Sequence, residues 1–323
     1  MNRQASPAPV LDREPAKSDF LSETIAGLSD SPRTLPCKYF YDAIGSALFQ
    51  EISELPDYYL TRAELEILDR YCGEIATQLG TGIELIGLGT GAGTKTRILL
   101  EKLQAPMSYI PVDISREQLK RSSALFQKVF TGLEILPVCA DYLEPFDLPS
   151  PRRKPRRKIV YFPGSTIGNF EPHAAIEFLR RIIDLSGTGG GLLIGVDLQK
   201  DRHVLERAYN DSAEVTAQFN LNLLARANRE FGADFHLGCW RHHAIYNSSE
   251  GRIEMYLISE VDQTVHIANR QFYFRRGEKI ITEFSYKHTP EGFIALARDA
   301  GFDFVHLWSD RARLFGVFYF AVL

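Results

Sequence analysis

Between about Gly82 and Leu198 the chain alternates short apolar runs with amphipathic stretches, and this rhythm constrains the fold more than any other feature. The apolar runs are IELIGL, MSYIPVD, LEILPVCAD, IVYFPGS and LLIGVDL; TKTRILLEKL, REQLKRSSALFQKVF and PHAAIEFLRRIIDL have helical spacing and fall among them. Buried strands alternating with helices form βαβ units, and such units build a parallel sheet covered on both faces. The fold class is therefore α/β.

The rhythm breaks after Leu198. VLERAYNDSAEVTAQFNLNLLARANREF reads as one long helical stretch. CWRHHAIYN, RIEMYLISE, VHIANRQFYF and KIITEFSYK then alternate apolar and polar residues between NSSEG, VDQT and RRGE turns, the pattern of half-exposed antiparallel strands. An inserted second domain is expected here. The chain ends in a helix, PEGFIALARDAG, and two strands, FDFVHLW and GVFYFAVL, so apolar that they must dock back on the parallel sheet. FLSETIAGL, YDAIGSALFQEISEL and ELEILDRYCGEIATQL precede the sheet as helices. Residues 1–17, rich in proline and mixed charge, are expected to be a disordered tail.

Composition narrows the function. With 37 Lys and Arg against 41 Asp and Glu, the net charge of −4 excludes a surface built wholly for nucleic acid. No apolar run is long enough for a membrane span, and MNRQASPAPVLDREPAK lacks the apolar core of a signal peptide. Four dispersed cysteines without a CxxC pair read as buried, reduced thiols of a cytoplasmic protein. No metal site is expected: there is no HExxH, and His242 and His243 are adjacent, so a strand would send them to opposite faces.

The first strand-to-helix turn is GLGTGAGTKT, residues 87–96. Its glycines permit close approach of a ligand to the backbone, and the following helix offers free N–H groups. Asp113 in PVDIS stands where a carboxylate grips ribose hydroxyls. Three ligands compete. A phosphate loop requires GxxxxGK[ST], and here the second glycine is missing before Thr94-Lys95-Thr96. A dinucleotide fingerprint survives only in its alanine variant, Gly87-x-Gly89 followed by Ala92. The GxGxG of S-adenosylmethionine sites is met by Gly89, Gly91 and Gly93; Asp141 would then accept from the adenine amino group, although taken alone it is better read as a strand-end cap.

Further along, FPGSTIGNF (residues 162–170) closes the fourth strand, and its Asn169 offers both a donor and an acceptor. Capping the helix that begins near Glu171 is an equally good reading of Asn169. Glu283 and Ser285 share one face of the strand ITEFSYK, a carboxylate and hydroxyl suited to an imidazole or amide N–H; taken alone they read as surface residues. SPRRKPRRK, the basic block at 150–158, is broken by proline and lacks aromatics, which suits a solvated loop better than a nucleic-acid contact.

LPCKYFYDAIGSALFQEI, LPDYYLTR, LGTGAGTKTR, FPGSTIGNF, AYND followed by VTAQFN, RIEMYL and TEFSYK occur in this order from about Leu35 to the C-terminus. Together they resemble the histidine-specific Nα-methyltransferases of ergothioneine biosynthesis. The resemblance implies S-adenosylmethionine as cofactor, L-histidine as substrate and three successive methyl transfers that give hercynine. It implies a seven-stranded, Rossmann-like class I methyltransferase sheet over 58–199 plus 289–323, and a second α+β substrate domain from 18–57 plus 200–288. Carried onto matching positions, Gly89 and Lys95 border the cofactor, Asp113 holds its ribose, and Asp141 and Tyr142 its adenine. Asn169 and Tyr209 bind the amino-acid end of histidine as the catalytic pair, with Tyr41 nearby; Tyr58, Met255, Glu283, Phe284 and Ser285 surround the imidazole. The family's acid before the glycine-rich turn corresponds to Gly87 here, with Glu84 the nearby carboxylate. A monomer is expected. The competing readings are a methyltransferase of another amino acid or small amine such as a tryptophan derivative, a nicotinamide-dependent oxidoreductase, and a non-catalytic binder of the cofactor.

Overall fold

Strand β1 (Leu11–Arg13), helix α1 (Lys17–Ser29) and strand β2 (Arg33–Thr34) open the computed structural model, which describes residues 10–13, 17–89, 91 and 93–323. Helices α2 (Ala43–Glu54) and α3 (Tyr59–Leu79) lead into β3 (Ile83–Leu88), α4 (Thr94–Lys102), β4 (Ser108–Asp113) and α5 (Arg116–Val129). Then come β5 (Glu134–Ile135), β6 (Val138–Ala140), β7 (Arg157–Phe162), α6 (Pro172–Ser186) and β8 (Gly191–Asp197). Helices α7 (Arg202–Tyr209) and α8 (Val215–Phe231) precede five strands: β9 (Trp240–Asn247), β10 (Arg252–Ser259), β11 (Gln263–Ile267), β12 (Arg270–Phe274) and β13 (Lys279–Tyr286). Helix α9 (Pro290–Ala300), β14 (Asp303–Ser309) and β15 (Phe315–Ala321) end the chain.

The apolar runs pair side by side in the order β1-β6-β4-β3-β7-β8-β15-β14, with β5 attached to β4. β15 runs antiparallel to both of its neighbours, β8 and β14, so the terminal hairpin does dock on the parallel sheet. From β6 to β14 this is the expected seven-stranded sheet. Strand order reverses between β3 and β7, which opens a crevice at their carboxyl ends, where ligands of such sheets bind. Every residue of β3 is buried because both sheet faces are covered. Leu179, Phe293 and Phe318 belong to the cluster on one face. On the other, Ile67 and Leu68 of α3 join a cluster that runs on into Trp240 and Ile253 of the second sheet and Phe274 of β12.

Two expectations need correction. Of the segment 1–17, residues 1–9 and 14–16 lie outside the described residues, but Leu11–Arg13 is a strand paired in parallel with Val138–Ala140. The open edge of β6 offers N–H and C=O groups that any short extended segment can satisfy, whatever its composition. The long helix after Leu198 is two helices, because the Asp211 carboxylate accepts from the N–H groups of Val215 (3.0 Å) and Thr216 (2.8 Å) and starts α8 afresh. The break leaves Tyr209 at the end of α7.

The second sheet has the order β2-β13-β10-β9; β2 is parallel to β13 and the other pairs are antiparallel, while β11 and β12 form a separate hairpin. Among the described residues no helix is long and apolar enough to cross a membrane. Nor does any group of three or more His, Cys, Asp or Glu stand ready to hold a metal ion.

Candidate active site

The crevice at the reversal point is built by the turns after β3, β4 and β6. Gly93 has a φ of 78°, and a Cβ there would lie 2.7 Å from the Phe126 ring, so only glycine fits. Asp113 ends β4 and steadies the turn: its Oδ2 accepts from Gly91 N (3.2 Å) and its Oδ1 from Ser115 N (2.9 Å). Asp141 follows β6 and accepts from Leu143 N at 2.9 Å, with Lys38 Nζ 3.9 Å away. Burial pushes both carboxyls above their ordinary range. Tyr142 packs against Gly89, where a Cβ would lie 3.4 Å from its ring.

Lys95, in the first turn of α4, pairs with Glu64 of α3, which is fully buried and also accepts from Gly164 N at 3.0 Å. This ion pair ties the glycine-rich turn to the turn after β7. Glu64 sits in the apolar rhythm of α3 and gave no signal in the sequence. Glu84 cannot replace the acid missing at Gly87, because it lies at the other end of β3 and accepts from Ser108 Oγ at 2.8 Å.

Beside the crevice, Tyr41, Tyr58, Asn169, Tyr209, Met255, Glu283 and Ser285 line one cleft, together with Gly164, Ser165 and Thr166. They arrive from distant parts of the chain. Tyr41 follows the 3-10 turn Cys37–Phe40, Tyr58 precedes α3, and Asn169 closes the 3-10 turn Thr166–Asn169. Asn169 does not cap α6, which starts from Glu171 with no side-chain cap; it contacts the Cys37 thiol, which burial pushes up to about 12. Cys72 and Cys139 are buried as expected, whereas Cys37 and Cys239 are partly exposed. Gly168 lets this turn press on β13, since a Cβ there would lie 2.7 Å from the Tyr286 carbonyl. Met255 and Glu283 are cross-strand partners, and the register shifts just after Met255. Phe284 does not join them: strand alternation turns it to the opposite face, under the Arg252 guanidinium at 3.6 Å from its ring centre.

Burial pushes the Glu283 carboxyl up to about 7, although the nearby Lys287 pulls the other way. The hydroxyls of Tyr41, Tyr58 and Tyr209 are held well above their ordinary value by burial, so they remain neutral. Behind Tyr209 and Ser285 lies an ionic group that the sequence reading missed. Asp197, at the end of β8, meets Lys287 (3.0 Å), Lys200 (2.5 Å) and the Tyr59 hydroxyl (2.7 Å). Burial alone would raise its carboxyl, but Lys287 and Lys200 override this and hold it below its ordinary value. His242 bridges Asn220 and the Tyr209 carbonyl, at 2.8 Å each, and fixes the end of α7. The basic block is a solvated loop only in part: Arg152, Arg153, Lys154 and Arg156 are exposed at the amino end of β7, away from the cleft, whereas Arg157 and Lys158 already belong to β7 and are half-buried, with Arg157 donating to the Tyr319 hydroxyl.

The crevice suits S-adenosylmethionine. Asp113 and Asp141 present carboxylate acceptors to hydroxyl and amino donors, and the Lys95–Glu64 ion pair borders the crevice; a pair of carboxylates would repel the phosphates of a nucleotide. A carboxylate-lined crevice at the reversal point of this seven-stranded sheet, opening beside a polar cleft, defines an S-adenosylmethionine-dependent methyltransferase. Residues 20–322 match the family model described as "Histidine-specific methyltransferase, SAM-dependent", and the chain belongs to that family. It is 40% identical over 317 residues to the histidine N-alpha-methyltransferase of Mycolicibacterium smegmatis, covering 96% of this chain and 97% of that one. To the protein of the same name from Mycobacterium tuberculosis it is 39% identical over 301 residues, covering 91% and 92%. A solved structure of a possible exported protein from Bordetella parapertussis shares the fold alone, with a TM-score of 0.52 and 11% identity over 95% of this chain and 97% of that one.

Proposed function

We infer that the chain catalyses S-adenosylmethionine-dependent Nα-methylation of L-histidine, three successive transfers giving hercynine for ergothioneine biosynthesis. The observation that carries this reading is the Glu283–Ser285 pair on the cleft face of β13, beside Met255 and next to the cofactor crevice. A half-buried carboxylate paired with a hydroxyl matches an imidazole and would penalise a side chain that left it unpaired.

When bound, S-adenosylmethionine supplies a methyl group on a good leaving group. The chain's part is then alignment: holding a neutral amine so that its lone pair faces the methyl carbon. Asn169 and Tyr209 orient that amine. The cleft's tyrosines work as hydrogen-bonding groups rather than bases, since burial keeps them protonated. Asp113 holds the ribose, Asp141 and Tyr142 the adenine, and Lys95 with Gly89 the amino-acid end of the cofactor. Residues 18–57 with 200–288 serve as the lobe that selects histidine, and 58–199 with 289–323 as the lobe that holds the cofactor. A monomer is the working unit of this reading, and four cysteines that stay as thiols suit the reducing cytoplasm.

Mass spectrometry of purified protein incubated with S-adenosylmethionine and an equimolar mixture of the standard amino acids tests this reading. Histidine alone should gain one, two and then three methyl groups, and Glu283→Ala should lose turnover far more than cofactor affinity. Methylation of another amino acid, or equal losses in both quantities, would overturn the assignment.

A further inference from the structure

Lys287 follows β13 and extends the alternation of Glu283 and Ser285 by one more step, so all three share a face. Its side chain is fully buried and lies behind the cleft rather than on its wall. The ammonium has three N–H donors and meets three acceptors: Tyr209 Oη at 2.8 Å, Ser285 Oγ at 2.8 Å and Asp197 Oδ2 at 3.0 Å. Tyr209 Oη and Ser285 Oγ also lie 2.9 Å from each other. Tyr209 comes from α7 and Ser285 from β13, 76 residues apart.

Counting hydrogens shows what this arrangement does. Both hydroxyl oxygens accept from the ammonium, and the short contact between them uses one of their two protons. One O–H is left, and both groups line the cleft, so the pair presents a single donor to whatever lies there. A neutral amine in place of the ammonium would have a lone pair to fill and would take that last proton. Asp197, held ionised by its lysine partners, keeps the count fixed.

We propose that Lys287 is a positioning residue of the methylation site, which locks Tyr209 and Ser285 into one unit with a single hydrogen-bond donor facing the substrate. The proposal rests on the reading of Tyr209 and Ser285 as substrate-binding groups. It couples the two ends of the site: when Tyr209 gives its proton to the amino-acid end, Ser285 has spent its own on Tyr209 and can only accept from the ring. Selection of the ring and orientation of the amine then depend on one buried cation.

The test is Lys287→Gln in the native chain and in a Tyr209→Phe/Ser285→Ala chain. Kinetics would be measured with histidine, and binding of S-adenosylhomocysteine by calorimetry. In the native chain kcat/KM should fall about 100-fold, the scale of a displaced reacting group, with S-adenosylhomocysteine affinity unchanged. In the doubly substituted chain the same change should cost no more than about twofold, because the groups it acts through are gone. A full loss in both chains, or no loss in the first, overturns the proposal. If Lys287→Gln fails to fold, the cycle of Tyr209→Phe and Ser285→Ala with Lys287 intact decides. The double variant should lose less than the product of the single losses, and losses that multiply overturn the proposal. If the native chain instead methylates another amine, the histidine reading fails, and the same cycle run with that amine still decides the role of Lys287.

Discussion

Replacing Glu283 by glutamine should make the protein more stable at pH 8 while disabling it. The carboxyl ordinarily titrates at 4.5 and in the cleft at about 7, a rise of about 2.5 units. At roughly 1.4 kcal/mol per unit, that is about 3 kcal/mol. The sign follows from proton counting. Between pH 4.5 and 7 the folded chain holds a proton that the unfolded chain has released, so stability falls as pH rises through that window. Above pH 7 the whole penalty is present. Glutamine cannot ionise and escapes it. Thermal melts of the ligand-free proteins should therefore show Glu283→Gln gaining up to about 3 kcal/mol at pH 8, on the order of 5 °C in Tm. At pH 5 the gain should shrink to below about 1 kcal/mol. Glu283 also acts on Cys37, Tyr41, Tyr58 and Tyr209, but burial keeps all four protonated at both pH values, so they leave the difference unchanged. An equal shift in Tm at the two pH values, or a loss at pH 8, would refute the claim that this carboxylate is desolvated.

Gly168→Ala should cost about 1–3 kcal/mol of stability and lower histidine turnover more than cofactor binding. Its Cβ would meet the Tyr286 carbonyl at 2.7 Å and push the Asn169 turn away from β13; melts and kinetics on the same preparation check both parts. Serine at Arg152, Arg153 and Lys154 should leave turnover and Tm nearly unchanged, since exposed charges at the far end of β7 add little. A large loss in either measurement would give the basic block a function.

The sheet was legible because buried parallel strands leave unmistakable runs such as IELIGL and LLIGVDL. The face shared by Glu283 and Ser285 followed from the two-residue strand period alone. The same period carries on to Lys287, yet a lysine at a strand end reads as solvent-exposed until its acceptors are known. Those acceptors are remote in sequence: Tyr209 is 78 residues away, and Asp197 meets Tyr59 across 138. Glu64 was hidden for a different reason. It lies on the buried side of α3 and is tolerated there only because Lys95 and Gly164 N, supplied by two other turns, satisfy it. Spacing along a chain reports which face a residue takes, but not which distant group will meet it. Phe284 shows the complementary error: the family resemblance placed it beside the imidazole, whereas the strand period turns it away.

The pairing of β2 with β13 also fixes an order of assembly. Leu35 N donates to the Ile281 carbonyl at 2.8 Å, so the segment that carries Tyr41 is fastened to a strand near the end of the chain. Bringing such distant segments together adds little to the equilibrium cost of folding, because closure entropy grows only with the logarithm of loop length. Its effect is on timing. As the chain leaves the ribosome, β3 to β8 can pair once Asp197 has emerged, while the wall bearing Tyr41 must wait for residues 279–286 to emerge. The crevice is thus expected to form well before the cleft, and the power to choose a substrate is the last property the nascent chain acquires.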